Sequence, residues 1–325
     1  MASQQVSTHS GTAHAKAVLL GEHAVGYGAP AIALPIPALT VRARARRVRR
    51  GGRLRSALYQ GPLAAAPASV GPALTAVRAT LDAVGGAAAG IGPDGVDLRI
   101  ESHVPPGRGL GSSAAVAAAV VEAVAGACGA ALDPQTRHEL VQECERVAHG
   151  APSGLDARTV VSSAPLWFSG GSVAELSVGA AGVLVVADTG TAASTLDAVA
   201  GVRELRRLRP GTAGAALAAL SDLTVAARDD LAVGDLPALG SAMDEAHRLL
   251  ATLGVSSAGL DHLAEQARRA GALGAKLTGG GRGGCVIALA DDDTAAARLA
   301  AQLRAAGAHA VWTLGLVPST AAVAA

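Results

Sequence analysis

Residues 105–114 read Pro105-Pro106-Gly107-Arg108-Gly109-Leu110-Gly111-Ser112-Ser113-Ala114. Three glycines at alternate positions and two serines stand between an alternating stretch, Val96, Leu98 and Ile100, and a long Ala/Val run. The first reads as a strand and the second as a helix over about 113–129. Glycine lets the backbone take positive φ and approach a ligand closely. A helix N-terminus adds unpaired N–H groups and the positive end of a dipole. A flexible turn would fit the same residues, but placement between strand and helix favours a phosphate cradle, with Ser112 or Ser113 adding a hydroxyl to phosphate or metal. The loop has neither a Walker Gly-Lys-Ser/Thr nor the Rossmann glycine spacing.

Outward from this loop, residues 13–20 and 31–36 are expected to be strands around a glycine-containing turn, and 70–84 a helix. A second helix is expected over 134–149, with Asp133 as N-cap and Pro134 at its first position. Strands are expected at 165–168, 173–178 and 182–188. Residues 194–270 read as four helices punctuated by Gly211, Gly234 and Gly254. The chain then closes with a Gly-rich loop at 279–284, a strand at 285–290, a helix at 292–306 and a strand at 308–315. Strand runs with interspersed helices imply an α+β fold rather than a regular βαβ array. A boundary is expected near 190, dividing 1–190 from 191–325, with a frayed tail after Val317.

The 325 residues carry 27 basic and 26 acidic side chains, so no global charge argues for nucleic acid or an anionic membrane. Five aromatic residues are too few for a base-stacking platform. Eight arginines lie between Arg42 and Arg55. With no aromatic interleaved, they read as the solvated face of edge strands rather than a polyanion site. Residues 114–132 could mislead a hydropathy window, but alanine dominates them and a buried helix is expected. Cys128, Cys144 and Cys285 show no ligand or disulfide spacing. Reduced thiols and an N-terminus without an apolar h-region point to a cytoplasmic protein.

Two further segments share the loop's character: Ala15-Lys16-Ala17-Val18-Leu19-Leu20-Gly21-Glu22-His23-Ala24-Val25, and Lys276-Leu277-Thr278-Gly279-Gly280-Gly281-Arg282-Gly283-Gly284-Cys285. In this order the three segments resemble the motifs of the GHMP kinase superfamily. The Gly-Glu-His-Ala-Val stretch is most like its mevalonate kinase branch. The resemblance implies a two-domain fold: an N-terminal ATP-binding domain like ribosomal protein S5 domain 2, and a ferredoxin-like α/β C-terminal domain. It implies ATP as co-substrate and Mg²⁺ as metal, with residues 106–113 binding the nucleotide.

The resemblance assigns Asp156, in His149-Gly150-Ala151-Pro152-Ser153-Gly154-Leu155-Asp156, as the base. From the residues alone, an Asp after Ser-Gly reads as a helix cap or turn residue. Lys16 sits in an otherwise apolar strand, where a cation is costly unless paired. The resemblance gives it the task of orienting Asp156 and stabilising developing charge. It makes Ser113 and Glu145 the metal ligands and places Glu22, His23, Ser194 and Thr195 at the substrate. Ala192 and Ala193 stand where many members carry Pro-Arg, a departure at the substrate contacts. The implied reaction is phosphorylation of mevalonate's primary alcohol. Rivals are another GHMP kinase, such as a phosphomevalonate kinase, or a catalytically silent binding protein on the same fold. Expected partners are small molecules alone, with a homodimer as the candidate assembly.

Overall fold

The computed structural model describes residues 8–86, 91–92, 94–150 and 152–319. The last residues of the tail beyond Val317 lie outside them. The chain forms two interleaved compact units. The first takes residues up to Ala15, Leu39–Pro105 and Gly111–Val161; the second takes Lys16–Ala38, Pro106–Leu110 and Ser162 onward. The chain passes between units inside the 105–114 loop.

In the first unit the strand order is β4 (Gln60–Pro62), β3 (Arg53–Arg55), β5 (Val96–Ser102) and β2 (Ala31–Arg47), the last contributing its C-terminal half. Helices α1 (Gly71–Ala83), α2 (Ser112–Ala127) and α3 (Pro134–His149) pack on one another, and α4 (Leu155–Thr159) follows. The α3 start is as the sequence predicts: Asp133 accepts from the N–H groups of Gln135 (2.9 Å) and Thr136 (3.0 Å), ahead of Pro134. α2 is mostly buried, with Glu122 its exposed residue. Its small side chains let β1 (His9–Leu20) come close: a Cβ on Gly11 would lie 2.1 Å from the Ala119 carbonyl. Among the described residues, no helix is long and apolar enough to cross a membrane.

The arginine stretch needs one correction. β2 is one continuous strand through Pro35 and Pro37, and it is not an edge: it pairs with β5 and β1. Arg42, Arg44 and Arg46 alternate with buried Val41, Ala43 and Ala45, so they line a solvent face. There they oppose Glu101, Arg99 and Asp97 of β5.

In the second unit, β2 pairs through Ala31–Ala33 with β6 (Leu166–Ser169), and β6 pairs with β7 (Ser172–Glu175). A separate antiparallel sheet has the order β11 (Ala310–Leu316), β8 (Gly182–Asp188), β10 (Cys285–Ala290), β9 (Gly274–Thr278). Around it lie α5 (Thr195–Leu208), α6 (Pro210–Val233), α7 (Leu236–Thr252), α8 (Ala258–Arg269) and α9 (Asp293–Ala305). The expected glycine breaks hold at Gly234 and Gly254. Gly211 instead lies inside the first turn of α6, because Pro210 starts that helix.

β9 is an element that sequence periodicity does not predict. It is an edge strand, yet all five residues are buried. Its outward backbone groups therefore need partners other than water. Side chains supply all four of those carried by Ala275 and Leu277. Ala275 N–H donates to Asp244 (2.8 Å), and its carbonyl accepts from Arg268 (2.7 Å). Leu277 N–H donates to Nδ1 of His247 (3.1 Å), and its carbonyl accepts from Lys276 Nζ (2.7 Å). α7 can lie on the strand because Gly240 faces Gly274: a Cβ on Gly274 would sit 1.9 Å from the Gly240 carbonyl.

His247 is 6 % exposed, and its Nε2 donates to Asp261 at 3.1 Å. Burial, helped by Arg268 and Lys276, lowers its pKa below the ordinary 6.5, while Asp261 pulls the other way. Protonating Nδ1 would also break the bond from Leu277. A histidine held neutral contributes stability above its unfolded pKa and loses it as pH falls. Unfolding free energy should therefore drop as pH is lowered through about 6.5. The His247→Gln variant should show a flatter profile by chemical denaturation. Identical pH slopes in the two proteins would contradict this assignment.

Candidate functional site

The second unit brings together three segments far apart in sequence. In the loop at 106–110, Gly107 and Gly109 take φ of 69° and 75°. Such values favour glycine, and here they serve close approach. A Cβ on Gly109 would lie 2.8 Å from the Thr278 carbonyl, and one on Gly279 would lie 2.6 Å from Gly109 Cα. The two glycine loops thus pack backbone on backbone. A third segment, 188–193, completes the contact: Ala193 N–H donates to the Gly107 carbonyl (3.0 Å), and Gly284 N–H to that of Thr191 (2.8 Å).

Arg108 holds this arrangement. Its Nε donates to the Asp188 carboxylate at 3.0 Å, and its Nη2 to the Gly190 carbonyl at 2.9 Å. Asp188 also accepts from Gly190 N–H (2.8 Å), and its side chain is 2 % exposed. The guanidinium is therefore committed to the protein's own carboxylate. Sequence reading placed Arg108 among the nucleotide contacts and missed Asp188, whose partner lies eighty positions away.

The first motif is fastened to β9. The Thr278 hydroxyl accepts from Val18 N–H (2.9 Å) and donates to the Val18 carbonyl (3.0 Å). Glu22 is ion-paired to Lys276, with side chains 2 % and 0 % exposed. Burial raises the Glu22 pKa, opposed by Lys276 and then by Lys16; burial likewise lowers that of Lys276, opposed by Glu22. His23 follows at φ 59°, strained for a residue with a side chain. Its Nε2 donates to the Gly280 carbonyl at 3.0 Å, and burial holds its pKa below the ordinary range. Lys16 is 3 % exposed, and its N–H donates to the Leu110 carbonyl at 3.1 Å.

Ser194 caps α5, accepting from Asp197 N–H at 3.2 Å, and Thr195 lies against Gly280. Arg282, also at positive φ, donates to the carbonyls of Gly254 (3.3 Å) and Asp197 (3.1 Å). It anchors the third motif to the start of α5 and the end of α7.

The first unit holds the remaining predicted residues. Gly111, at φ 71°, precedes α2 without a capping side chain. Ser112 reaches the Val104 carbonyl at 3.4 Å. Ser113 donates to Glu145 of α3, itself 2 % exposed, so these two predicted ligands are brought together. Asp156 is the second residue of α4. Gly154 occupies the N-cap position, so Asp156 is not a cap. Among the described residues, no three His, Cys, Asp or Glu side chains cluster to hold a metal. One carboxylate with one hydroxyl suits a cation that takes its other ligands from phosphate and water.

Two family models match the chain: the GHMP kinases N terminal domain over residues 73–163 and the GHMP kinases C terminal region over 227–309. The mevalonate kinase of Thermococcus sibiricus is 36 % identical over 301 residues, covering 86 % of this chain and 89 % of its own. That of Aeropyrum pernix is 36 % identical over 291 residues, covering 86 % and 87 %. The chain belongs to the mevalonate kinase family of GHMP kinases. The L. major mevalonate kinase, solved with R-mevalonate, superposes with a TM-score of 0.82 at 25 % identity, covering 99 % of this chain and 100 % of its own. The Streptococcus pneumoniae phosphomevalonate kinase, at 18 % identity and TM-score 0.78, shares the fold.

The Arg108–Asp188 bond ties the glycine loop to the end of β8. Asp188→Ala leaves a 15 %-exposed guanidinium side chain without its carboxylate. Steady-state kinetics should show KM for ATP raised ~10-fold, the order expected from a misplaced binding loop. An unchanged KM would show that the loop holds its shape without the latch.

Proposed function

We propose that this chain transfers the γ-phosphoryl group of ATP to the primary alcohol of mevalonate, giving 5-phosphomevalonate and ADP on the mevalonate route to isoprenoids. The observation that carries the reading is the likeness to curated mevalonate kinases over most of both chains. Every residue that the motifs nominate for the reaction is also present.

The reaction needs an anchored triphosphate, an oriented alcohol and relief of developing charge. Backbone N–H groups of 107–111 and the first turn of α2 hold the phosphates, since that helix end carries no side-chain cap. Asp156 accepts the alcohol proton as the new P–O bond forms. It is too weak a base to ionise the alcohol beforehand. The bond from the γ-phosphorus to the bridging oxygen breaks, and ADP leaves with that electron pair. Lys16 offsets negative charge on the transferred group. Glu22, His23, Ser194 and Thr195 bind and orient mevalonate. Their carboxylate, imidazole and hydroxyls suit a substrate that offers hydroxyls and one carboxylate. Ser113 and Glu145 would hold Mg²⁺, which neutralises phosphate charge when bound. A cytoplasmic setting, a homodimer and a domain division at 190/191 belong to the same reading.

A coupled ADP-release assay with mevalonate, phosphomevalonate, homoserine and galactose tests the substrate. Turnover is expected with mevalonate; its absence would contradict the reading. For the base, Asp156→Ala should lose at least ~10²-fold in kcat while circular dichroism shows an intact fold. Retention of activity would remove Asp156 from that role.

A further inference from the structure

Lys276 is a fully buried cation in the middle of β9, and its charge has no part in the reaction as derived above. For stability alone, apolar side chains of similar volume would serve a buried position as well as an ion pair, often better. The pair is also asymmetric. Glu22 Oε1 accepts from Lys276, whereas Oε2 is buried with no hydrogen-bond partner among the described residues. An unfilled buried acceptor is costly, and it is relieved when a donor arrives.

The cation is itself held in place. Lys276 Nζ also donates to the Leu277 carbonyl (2.7 Å), and the N–H of the same residue is taken by His247 (3.1 Å). Asp261 fixes His247 from its other side. Asp261, His247, Leu277, Lys276 and Glu22 thus form a continuous polar chain from α8 to the first motif. Its last member is a carboxylate with one oxygen filled and one open, one residue before strained His23.

We propose that Lys276 is a positioning residue: it orients the Glu22 carboxylate so that Oε2 stays the open acceptor for a hydroxyl of the phosphoryl-accepting substrate. The proposal rests on the mevalonate kinase reading, with Glu22 among the substrate residues. Lys276 itself touches neither substrate. The charged groups acting on Glu22 are Lys276 of β9 and Lys16 of β1; Arg282 and Lys276 act on neighbouring His23.

The test compares Lys276→Met, Lys276→Arg and the double variant Glu22→Gln/Lys276→Met with the full-length wild type. For Lys276→Met, KM for mevalonate should rise ~10-fold or more, in keeping with a lost charge-assisted hydrogen bond, while KM for ATP stays within about twofold. The acid limb of kcat/KM for mevalonate should move to higher pH, because Glu22 then keeps its proton more readily. Lys276→Arg, which retains the charge, should recover part of the affinity. Should Lys276→Met not fold, the double variant has no buried charge to strand. It should fold, keep a raised KM for mevalonate and lack the upward shift of the acid limb.

Folded Lys276→Met with wild-type KM and acid limb would overturn the proposal, as would a double variant with wild-type KM. Parallel rises in both KM values with an unmoved acid limb would mark the pair as structural and also overturn it. Wild-type protein without mevalonate turnover would overturn the underlying reading, and the proposal with it. Wild-type turnover beside an unaffected Lys276→Met overturns the proposal alone.

Discussion

A strand at the edge of a sheet carries a row of backbone donors and acceptors, and in β9 that row is buried. Every residue that answers it is thereby fixed in place. Asp244 and His247 must project from α7, Arg268 from α8, and Lys276 must turn back on its own strand. Once Lys276 is there, its ammonium needs a counter-charge, and Glu22 supplies it. Thr278, one step further, fastens Val18 of the strand that leads into Glu22. The position of the first motif thus follows from the hydrogen-bonding needs of a five-residue strand. Removing one member of such a buried pair costs about 3–5 kcal/mol, far more than the intact pair contributes.

Backbone packing sets the second constraint. The glycine loops at 106–110 and 278–284 touch through main-chain atoms, and Gly109 and Gly279 leave no room for side chains. The ring of contacts closes through Arg108 and Asp188 rather than through apolar burial. The same economy appears where β1 meets α2 at Gly11 and where α7 meets β9 at Gly240 and Gly274. The Ala/Gly-rich composition, uninformative by itself, is thus used at particular places to bring backbones together. Small residues permit the approach; polar side chains then supply direction.

What could be read from the sequence was what local chemistry dictates. Asp133-Pro134 announces a helix start, Val96, Leu98 and Ile100 announce a strand, and alternate glycines before Ser112 announce a turn into a helix. The three ordered motifs brought the fold and the family with them. β9 was hidden because it is short, buried on both faces and carries a lysine, so neither alternation nor an apolar run marks it. Lys276 and Asp188 were missed for one reason: their partners lie 254 and 80 positions away, and no local pattern encodes such pairs. The arginine run was read as exposed, and it is. Its strand is interior because alternation reports which face is wet and says nothing about lateral neighbours.

Amide hydrogen exchange on β9 tests the central claim most directly, because exchange reports whether each N–H is held. The side-chain account of the edge predicts that Ala275 and Leu277 N–H exchange as slowly as the amides of interior β10. The outward amides of β11, the other edge of the same sheet, should exchange faster. Exchange of Ala275 and Leu277 at β11-like rates would contradict the account, because the edge would then be open and the first motif would need another anchor.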